Sequence, residues 1–242
     1  MTLCSRLSGG GFLAVEKEIA PFEDSSRGHT LIPLQEGIMR GKIIIILLMS
    51  VGTILGQPMV KEENSVWPNG IGNGFNQNTV RSGFAVGGGV GPQIFGSSTH
   101  HDLIMGQVSA GWIFSDVLAK DKWYQGNWEL LGDLFGGYQF NVKDAYVAGF
   151  TSSIRYNFAT HSRWIPFVQG GGGPSLTDIG NPDLSTKFEF NIHAGVGVHY
   201  FWNERATVTV ELRLGHLSNA HIDSPNGGVN TALILFGVNW FF

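Results

Sequence analysis

A histidine, a serine and an asparagine near the end of the chain have types and spacing that suit ester hydrolysis. His216 and Ser218 stand two residues apart, and Asn230 follows a segment rich in proline and glycine. A hydroxyl nucleophile, an imidazole base and a polar group that orients the base are the parts of a serine hydrolase. A His-x-Ser pattern alone is a weak signal, so the elements that carry these residues must decide.

The predicted strands place the three side chains on one face of a hairpin. Residues two apart in a strand share a face and lie about 6.6 Å apart along it. His216 and Ser218 continue the register of the apolar residues Val208, Val210, Leu212 and Leu214. Asn230 shares its register with Ala232, Ile234 and Phe236 on the next strand. The three polar groups are therefore predicted to converge on an apolar face. Polar side chains are unfavourable there unless they have a function.

The same alternation recurs along the chain and predicts an all-β fold. The segments with this pattern lie near 80–91, 103–114, 123–139, 145–158, 164–172, 187–201, 206–218 and 230–242. Several exceed the five or six residues usual in soluble sheets and suit the roughly ten that cross a bilayer at a tilt. Charge is costly on a lipid-facing surface, so Glu189, Glu211 and Arg213 are expected to face a narrow lumen and to pair there. We predict an eight-stranded antiparallel transmembrane β-barrel.

Composition excludes several classes of protein. Of 242 residues, 35 are glycine and only 14% are charged, and mean hydropathy is +0.06 with a pI near 6.0. No apolar run is long enough for a transmembrane helix, and the net charge of -4 lacks the basic footprint of nucleic-acid binding. The single cysteine, Cys4, excludes an intrachain disulfide and a cysteine-based zinc site.

The remaining motifs indicate neither a cofactor nor a metal. The glycine runs at 87–91 and 170–173 lack the helix and the Lys-Ser/Thr pair of a phosphate loop. His100 and His101 are predicted to be solvated in a loop, because adjacent strand residues face opposite ways and no carboxylates join them. His193 and His199 are predicted to belong to a polar network in the lumen.

The first part of the chain indicates export. Residues 39–56 combine a short cationic start, an apolar run and the small residue Gly56, which is the layout of a signal peptide. Residues 1–38 are then an upstream extension that is not native, 57–79 a flexible or loosely docked periplasmic arm, and 80–242 the barrel. A soluble barrel of lipocalin type would place apolar residues inside. The confinement of charge to one face, the aromatics at strand ends and the terminal Phe242 favour the membrane barrel.

At the candidate hairpin the chain resembles the PagL family of outer-membrane lipid A 3-O-deacylases, also called acyloxyacyl hydrolase-like proteins. The likeness lies in the residues from His216 to Ala220, in those from Pro225 to Asn230, in the Pro166–Gly173 segment and in the Phe188–Tyr200 strand. The resemblance covers roughly residues 80 to 242. It implies an eight-stranded barrel with a catalytic triad on its outer surface, Ser218 as nucleophile, His216 as general base and Asn219 as an oxyanion candidate.

The third member of the triad departs from the family. The family glutamate falls at about Asn230, where an amide can hold the histidine tautomer without stabilising the imidazolium by charge. Asp223 in the connecting loop is an alternative for the third member of the triad, and its side chain would have to reach back to His216. Glu211 faces the lumen and is excluded.

The resemblance implies an enzyme of the bacterial outer membrane, with lipid A of lipopolysaccharide as substrate and membrane lipid as surroundings. A homodimer is left open. Two other functions also stay open: a non-enzymatic structural or adhesive barrel, and hydrolysis of outer-membrane phospholipid. The mostly short loops favour the enzyme over an adhesin. With the N-terminal arm and the last strand at the periplasmic side, the candidate hairpin is predicted at the outer leaflet.

Overall fold

The chain forms a closed barrel of eight consecutive antiparallel strands in the computed structural model, which describes Trp67 and residues 75–94, 96–141 and 143–242. The predicted upstream extension and signal peptide lie outside the described residues, as does most of the predicted arm. The strands are β1 (Val80–Val90), β2 (Leu103–Ile113), β3 (Gly126–Gln139), β4 (Ala145–Phe158), β5 (Trp164–Thr177), β6 (Phe188–Asn203), β7 (Ala206–Ser218) and β8 (Val229–Phe241). The predicted fold class is confirmed.

Strand β5 differs most from its predicted bounds, because it continues through the glycine run and Pro174 to Thr177. The sequence predicts the end of this strand at residue 172, inside the glycine run, because glycine weakens a strand and proline cannot donate to its ladder. Pairing of β5 with β4 is interrupted between Ser175 and Gly172. The side chain of Asn191 fills this interruption by donating to the main-chain oxygens of Gly173 and Phe150 at 2.9 and 3.2 Å.

The two faces of the barrel are inverted relative to a soluble protein. Along β7 the even-numbered Val208, Val210, Leu212 and Leu214 are exposed, whereas the odd-numbered polar residues between them are buried. Inside, Arg213 Nε lies 2.6 Å from Glu211 Oε1, as predicted. Glu189 is buried but forms no ion pair with a described residue; it accepts a hydrogen bond from Thr186 instead.

Aromatic side chains cluster toward the ends of the strands on the outer surface. At the end that carries the connections 114–125, 159–163 and 204–205, which we call the turn end, they form the pairs Trp112–Phe114, Trp128–Tyr156, Tyr156–Phe158 and Trp164–Tyr200. At the opposite end, which we call the loop end (loops 91–102, 140–144, 178–187 and 219–228), the pairs are Tyr138–Tyr146 and Phe188–Phe190. Such belts mark the two membrane interfaces. Among the described residues, no helix has the length and apolar character to cross a membrane.

A cluster of buried aromatic residues fills the turn end of the lumen. Phe75 packs with its ring centroid 5.0 Å from Phe241 and 5.4 Å from Phe201, and Trp67 lies against Phe75 at 5.3 Å. Phe75 is fully buried. These two residues of the predicted arm are therefore docked into the barrel, where burial removes their apolar rings from water.

A buried network of charged side chains, Arg81, Glu129 and Arg155, lies in the lumen. Glu129 Oε1 accepts from Arg81 Nε at 2.6 Å, and Glu129 Oε2 lies 3.7 Å from Arg155 Nη1. Removing one partner leaves an uncompensated buried charge.

We expect Glu129→Ala to lower the free energy of unfolding by about 3–5 kcal/mol, measured by urea titration in lipid vesicles with tryptophan fluorescence. Asp116→Ala, at an exposed turn, is the control; equal midpoints for both variants would refute the network's role.

Candidate active site

The first residues of β8 lie directly across from the last residues of β7. His216 is the cross-strand partner of Asn230, and Leu217 is the partner of Val229. Leu217 and Val229 point inward and are buried in a cluster with Ile179 and Leu184. Because Leu217 is held inside, its neighbours His216 and Ser218 must point outward. Both are half-buried, at the loop end of the lipid-facing surface.

The Asn230 amide determines which nitrogen of His216 carries the proton. Asn230 Nδ2 donates to the main-chain oxygen of Ile94, and a carbonyl can only accept. The amide oxygen, Oδ1, therefore faces His216 Nδ1, which lies 2.8 Å away. For a hydrogen bond to form there, Nδ1 must carry the proton, since Oδ1 is an acceptor. The other ring nitrogen, Nε2, is left with a free lone pair, as a general base requires.

Ser218 lies one side-chain position further along the same face of β7. Its cross-strand partner on β6 is Phe190, an exposed lipid-facing residue. No hydrogen bond joins the Ser218 hydroxyl to His216 or to any other residue of the described part of the chain. The structure thus brings His216 and Asn230 into contact and leaves Ser218 beside them without a bond. Catalytic hydrogen bonds of this kind often form only when substrate is bound.

Asn219 lies in a position that does not suit its predicted role toward the oxyanion. Its side chain is fully buried. The amide Nδ2 donates to Ser185 Oγ at 2.9 Å and to the main-chain oxygen of Asp223 at 3.1 Å, and the backbone N–H donates to Asn226 at 3.0 Å. With its donors already engaged, Asn219 anchors the β7–β8 loop. The predicted role was implied by the family resemblance, whereas the alternation of β7, continued by one residue, points Asn219 inward like Leu217.

The other acidic candidates do not contact His216. The exposed Asp223 carboxylate accepts the backbone N–H of Ser224 at 2.7 Å. Glu211 is buried in the lumen, where Gln169 and Arg213 donate to it. Within the described ranges, no group of three or more His, Cys, Asp and Glu side chains is arranged to hold a metal ion.

Gly228 forms part of the surroundings of the histidine that the sequence did not reveal. Its φ is +75°, and a Cβ built on it would lie 2.5 Å from His216 Cε1 and 3.1 Å from His216 Nε2. Only glycine both adopts this conformation easily and allows the backbone to approach the ring so closely. The sequence signal was the Gly227-Gly228 pair, which lies in the Pro225–Asn230 segment that carries the family resemblance.

Two neighbouring loops complete the site. Besides Ile94, the β1–β2 loop contributes His101, which was predicted to be solvated but is buried, with Gln139 and Asp183 at 2.6 and 2.7 Å. Asp183 belongs to the β5–β6 loop. Burial raises the pKa of its carboxyl, but hydrogen bonds, first from the Thr99 hydroxyl and then from Ser98, outweigh burial and lower the pKa to about 2. Asp183 is therefore charged at neutral pH.

Comparison with known proteins connects this geometry to a family. A family model described as lipid A 3-O-deacylase (PagL) matches residues 106–239, which include the whole candidate hairpin. No curated protein matches the chain. Among solved structures, the outer membrane enzyme PagL is similar at 19% identity, covering 65% of this chain and 97% of that chain, with a TM-score of 0.49. Neisserial surface protein A is similar at 16% identity, covering 68% and 97%, with a TM-score of 0.48. The N-terminal β-barrel domain of OprF from Pseudomonas aeruginosa is similar at 20% identity, covering 68% and 98%, with a TM-score of 0.39.

The family match spans more than half of the chain, from β2 into β8, on a closed barrel whose outer surface is apolar. The chain therefore belongs to the lipid A 3-O-deacylase (PagL) family, a family of enzymes of the bacterial outer membrane.

Proposed function

We propose that this barrel removes the 3-O-linked hydroxyacyl chain from lipid A by a Ser218–His216 mechanism at its lipid-facing surface, oriented by Asn230. The observation that carries the proposal is the 2.8 Å contact between His216 Nδ1 and Asn230 Oδ1. With Nδ1 protonated by this contact, the lone pair of Nε2 remains available to act as a base toward the Ser218 hydroxyl. His216 and Ser218 also continue a register of β7 that is otherwise apolar and exposed.

The chemistry follows from the tautomer. Ser218 Oγ attacks the ester carbonyl carbon while His216 Nε2 takes the hydroxyl proton. The carbon–oxygen bond to the sugar then breaks, and His216 returns the proton to the departing sugar oxygen. Water attacks the acyl-serine in the same way and releases the hydroxy fatty acid. Throughout, Asn230 holds Nδ1–H but supplies no charge to the imidazolium, so we expect slower turnover than a carboxylate would support.

The surroundings of Ser218 suit a lipid ester. Phe190 and Ile192 on β6 and Leu214 on β7 are exposed next to the two catalytic side chains. Acyl chains of a membrane lipid can lie along this surface while the ester reaches the loop end. With the turns at the periplasmic side, the site would meet the outer leaflet, where lipopolysaccharide lies.

We expect Asn230→Ala to lower kcat about 10²-fold, because the imidazole loses the partner that fixes its tautomer and ring angle. Asn230→Glu should raise kcat above that of the parent, because a carboxylate stabilises the imidazolium by charge. The gain should be far smaller than the roughly 10⁴-fold loss of kcat caused by replacing the carboxylate with an amide in a serine protease triad, since the local hydrogen bonds accommodate an amide. The measurement is release of 3-hydroxy fatty acid from purified lipid A, followed by mass spectrometry.

Asp223→Ala is the matched control for the Asn230 variants, because its carboxylate contacts the adjacent loop backbone rather than His216. It should retain parental kcat. If Asp223→Ala loses activity and Asn230→Ala keeps it, the third role belongs to Asp223. If the glutamate variant is no faster between pH 6 and 9 and the alanine variant matches the parent, the proposed triad is wrong and a non-enzymatic barrel becomes the better account.

The ester that is cleaved can be identified in cells. Lipid A from cells with and without the protein should differ by the mass of one hydroxyacyl chain. Unchanged lipid A together with released fatty acid from phospholipid would instead assign the enzyme to phospholipid hydrolysis.

A further inference from the structure

A buried carboxylate in the β5–β6 loop holds the β1–β2 loop in place. Asp183 is 1% exposed. Its Oδ1 accepts from the backbone N–H and the hydroxyl of Ser98 at 2.6 and 2.7 Å. Its Oδ2 accepts from the backbone N–H of Thr99 at 3.2 Å, from the Thr99 hydroxyl and from His101 Nε2 at 2.7 Å. A single side chain thus ties three residues of another loop.

The loop segment that Asp183 holds leads directly to the carbonyl that orients Asn230. The main-chain oxygen of Ile94 accepts from Asn230 Nδ2 and also from the backbone N–H of Ser97 at 3.2 Å. Ser97 precedes Ser98, which Asp183 binds. A shift of residues 98 and 99 would therefore move Ile94 and with it the Asn230 amide.

A second connection runs through the main chain of Asp183. Its carbonyl oxygen accepts the backbone N–H of Gly228 at 3.1 Å. Gly228 in turn lies against the ring of His216. The same residue thus fixes two contacts of the imidazole: the glycine that packs on it and, through the β1–β2 loop, the amide that orients it.

We infer that Asp183 is a positioning residue for the Asn230–His216 pair, acting on catalysis through the β1–β2 loop without contacting substrate. This inference rests on the proposed function for its kinetic consequence and on the contacts above for its structural one. The Asp183 carboxylate accepts hydrogen bonds from five donors. An amide at this position would turn a donor toward other donors. Asp183→Asn therefore breaks the side-chain connection while leaving volume and the main-chain bond to Gly228 unchanged.

The test compares Asp183→Asn with Asp178→Asn. Asp178 lies in the same loop, and its carboxylate accepts the backbone N–H of Tyr146, remote from the β1–β2 loop. We expect Asp183→Asn to lower kcat about 10–100-fold with KM changed less than about threefold, since misplacement near 1 Å has effects of this size. Asp178→Asn should keep parental kcat. Thr99→Val, which removes one donor and keeps the side-chain shape, should have a smaller effect in the same direction.

Two further readouts separate positioning from a general loss of structure. In a protein with 15N-labelled histidine, the Nδ1–H signal of His216 should be weakened by Asp183→Asn and by Asn230→Ala, and unchanged by Asp178→Asn. In the Asn230→Ala background, Asp183→Asn should cost less than about threefold in kcat, because the partner through which it acts is gone.

The inference is overturned if Asp183→Asn keeps the parental signal and kcat, or if the two substitutions reduce kcat additively. An inactive parent, or a Ser218→Ala variant as active as the parent, would reject the proposed function. The His216 signal would still decide whether Asp183 positions the imidazole. If Asp183→Asn does not fold, Thr99→Val serves in its place for the same comparisons.

Discussion

Ser218→Ala is expected to reduce release of 3-hydroxy fatty acid from lipid A by at least about 10⁴-fold, because the proposed covalent route loses its nucleophile. The substitution removes one oxygen from a half-buried position that makes no hydrogen bond within the described residues. The barrel should therefore remain intact. The measurement is mass spectrometry of lipid A after incubation with purified protein, with heat-modifiable gel migration as the check on folding.

The double variant His216→Ala with Ser218→Ala sharpens this prediction. Members of one catalytic unit are not additive, so the double variant should be about as inactive as either single variant. A matched control is Ser175→Ala, which changes a buried hydroxyl that faces the lumen on β5 and accepts from Asn191. Equal release by Ser218→Ala and the parent would remove Ser218 from the mechanism.

Gly228→Ala is expected to lower kcat about 10²-fold, because the added methyl would overlap the ring of His216. The built Cβ lies 2.5 Å from His216 Cε1, so the imidazole must move by about 1 Å to restore normal contact, and displacement of this size near a reacting group has that order of effect. KM should change little, since the lipid-facing residues around Ser218 are untouched. Initial rates over a range of lipid A concentrations separate the two parameters.

Gly180→Ala supplies the matched control for Gly228→Ala. Gly180 also has a positive φ, +71°, but a Cβ there would meet no atom closer than 3.9 Å. Both substitutions therefore strain a left-handed residue by a comparable amount, about 1–2 kcal/mol. Only the change at Gly228 approaches the histidine. If both variants lose activity equally, backbone strain explains the loss and the contact with His216 does not.

The amino-acid sequence alone determined the strands, their faces and the location of the candidate residues. Apolar and polar residues alternate with a period of two, which matches the pleat of a strand. The even-numbered residues from Val208 to Leu214 could therefore be assigned outward, and Glu211 inward, from the sequence alone. The same counting placed His216 and Ser218 on the lipid-facing side. It also placed Asn230 in the matching register of the next strand, where it is the cross-strand partner of His216.

The alternation of side chains along a strand does not predict which residues the loops contact. The hydrogen bonds by which Asn219 anchors the β7–β8 loop join it to Ser185 in another loop, and no strand period predicts such a partner. The glycine run in β5 lacks side chains that could show alternation, and its strand was predicted too short.

Only the tertiary structure decided how the histidine is held. Asn230 meets the carbonyl of Ile94 across 136 positions of sequence, and Asp183 meets Ser98 across 85. Closure of the barrel brings these segments together, because β1 pairs with β8 and the loops at one end then share a small space. Local sequence specifies a strand through its own side chains, whereas contacts between loops depend on the positions of all eight strands. Those contacts determine that Nδ1 of His216 carries the proton and that Nε2 keeps its lone pair.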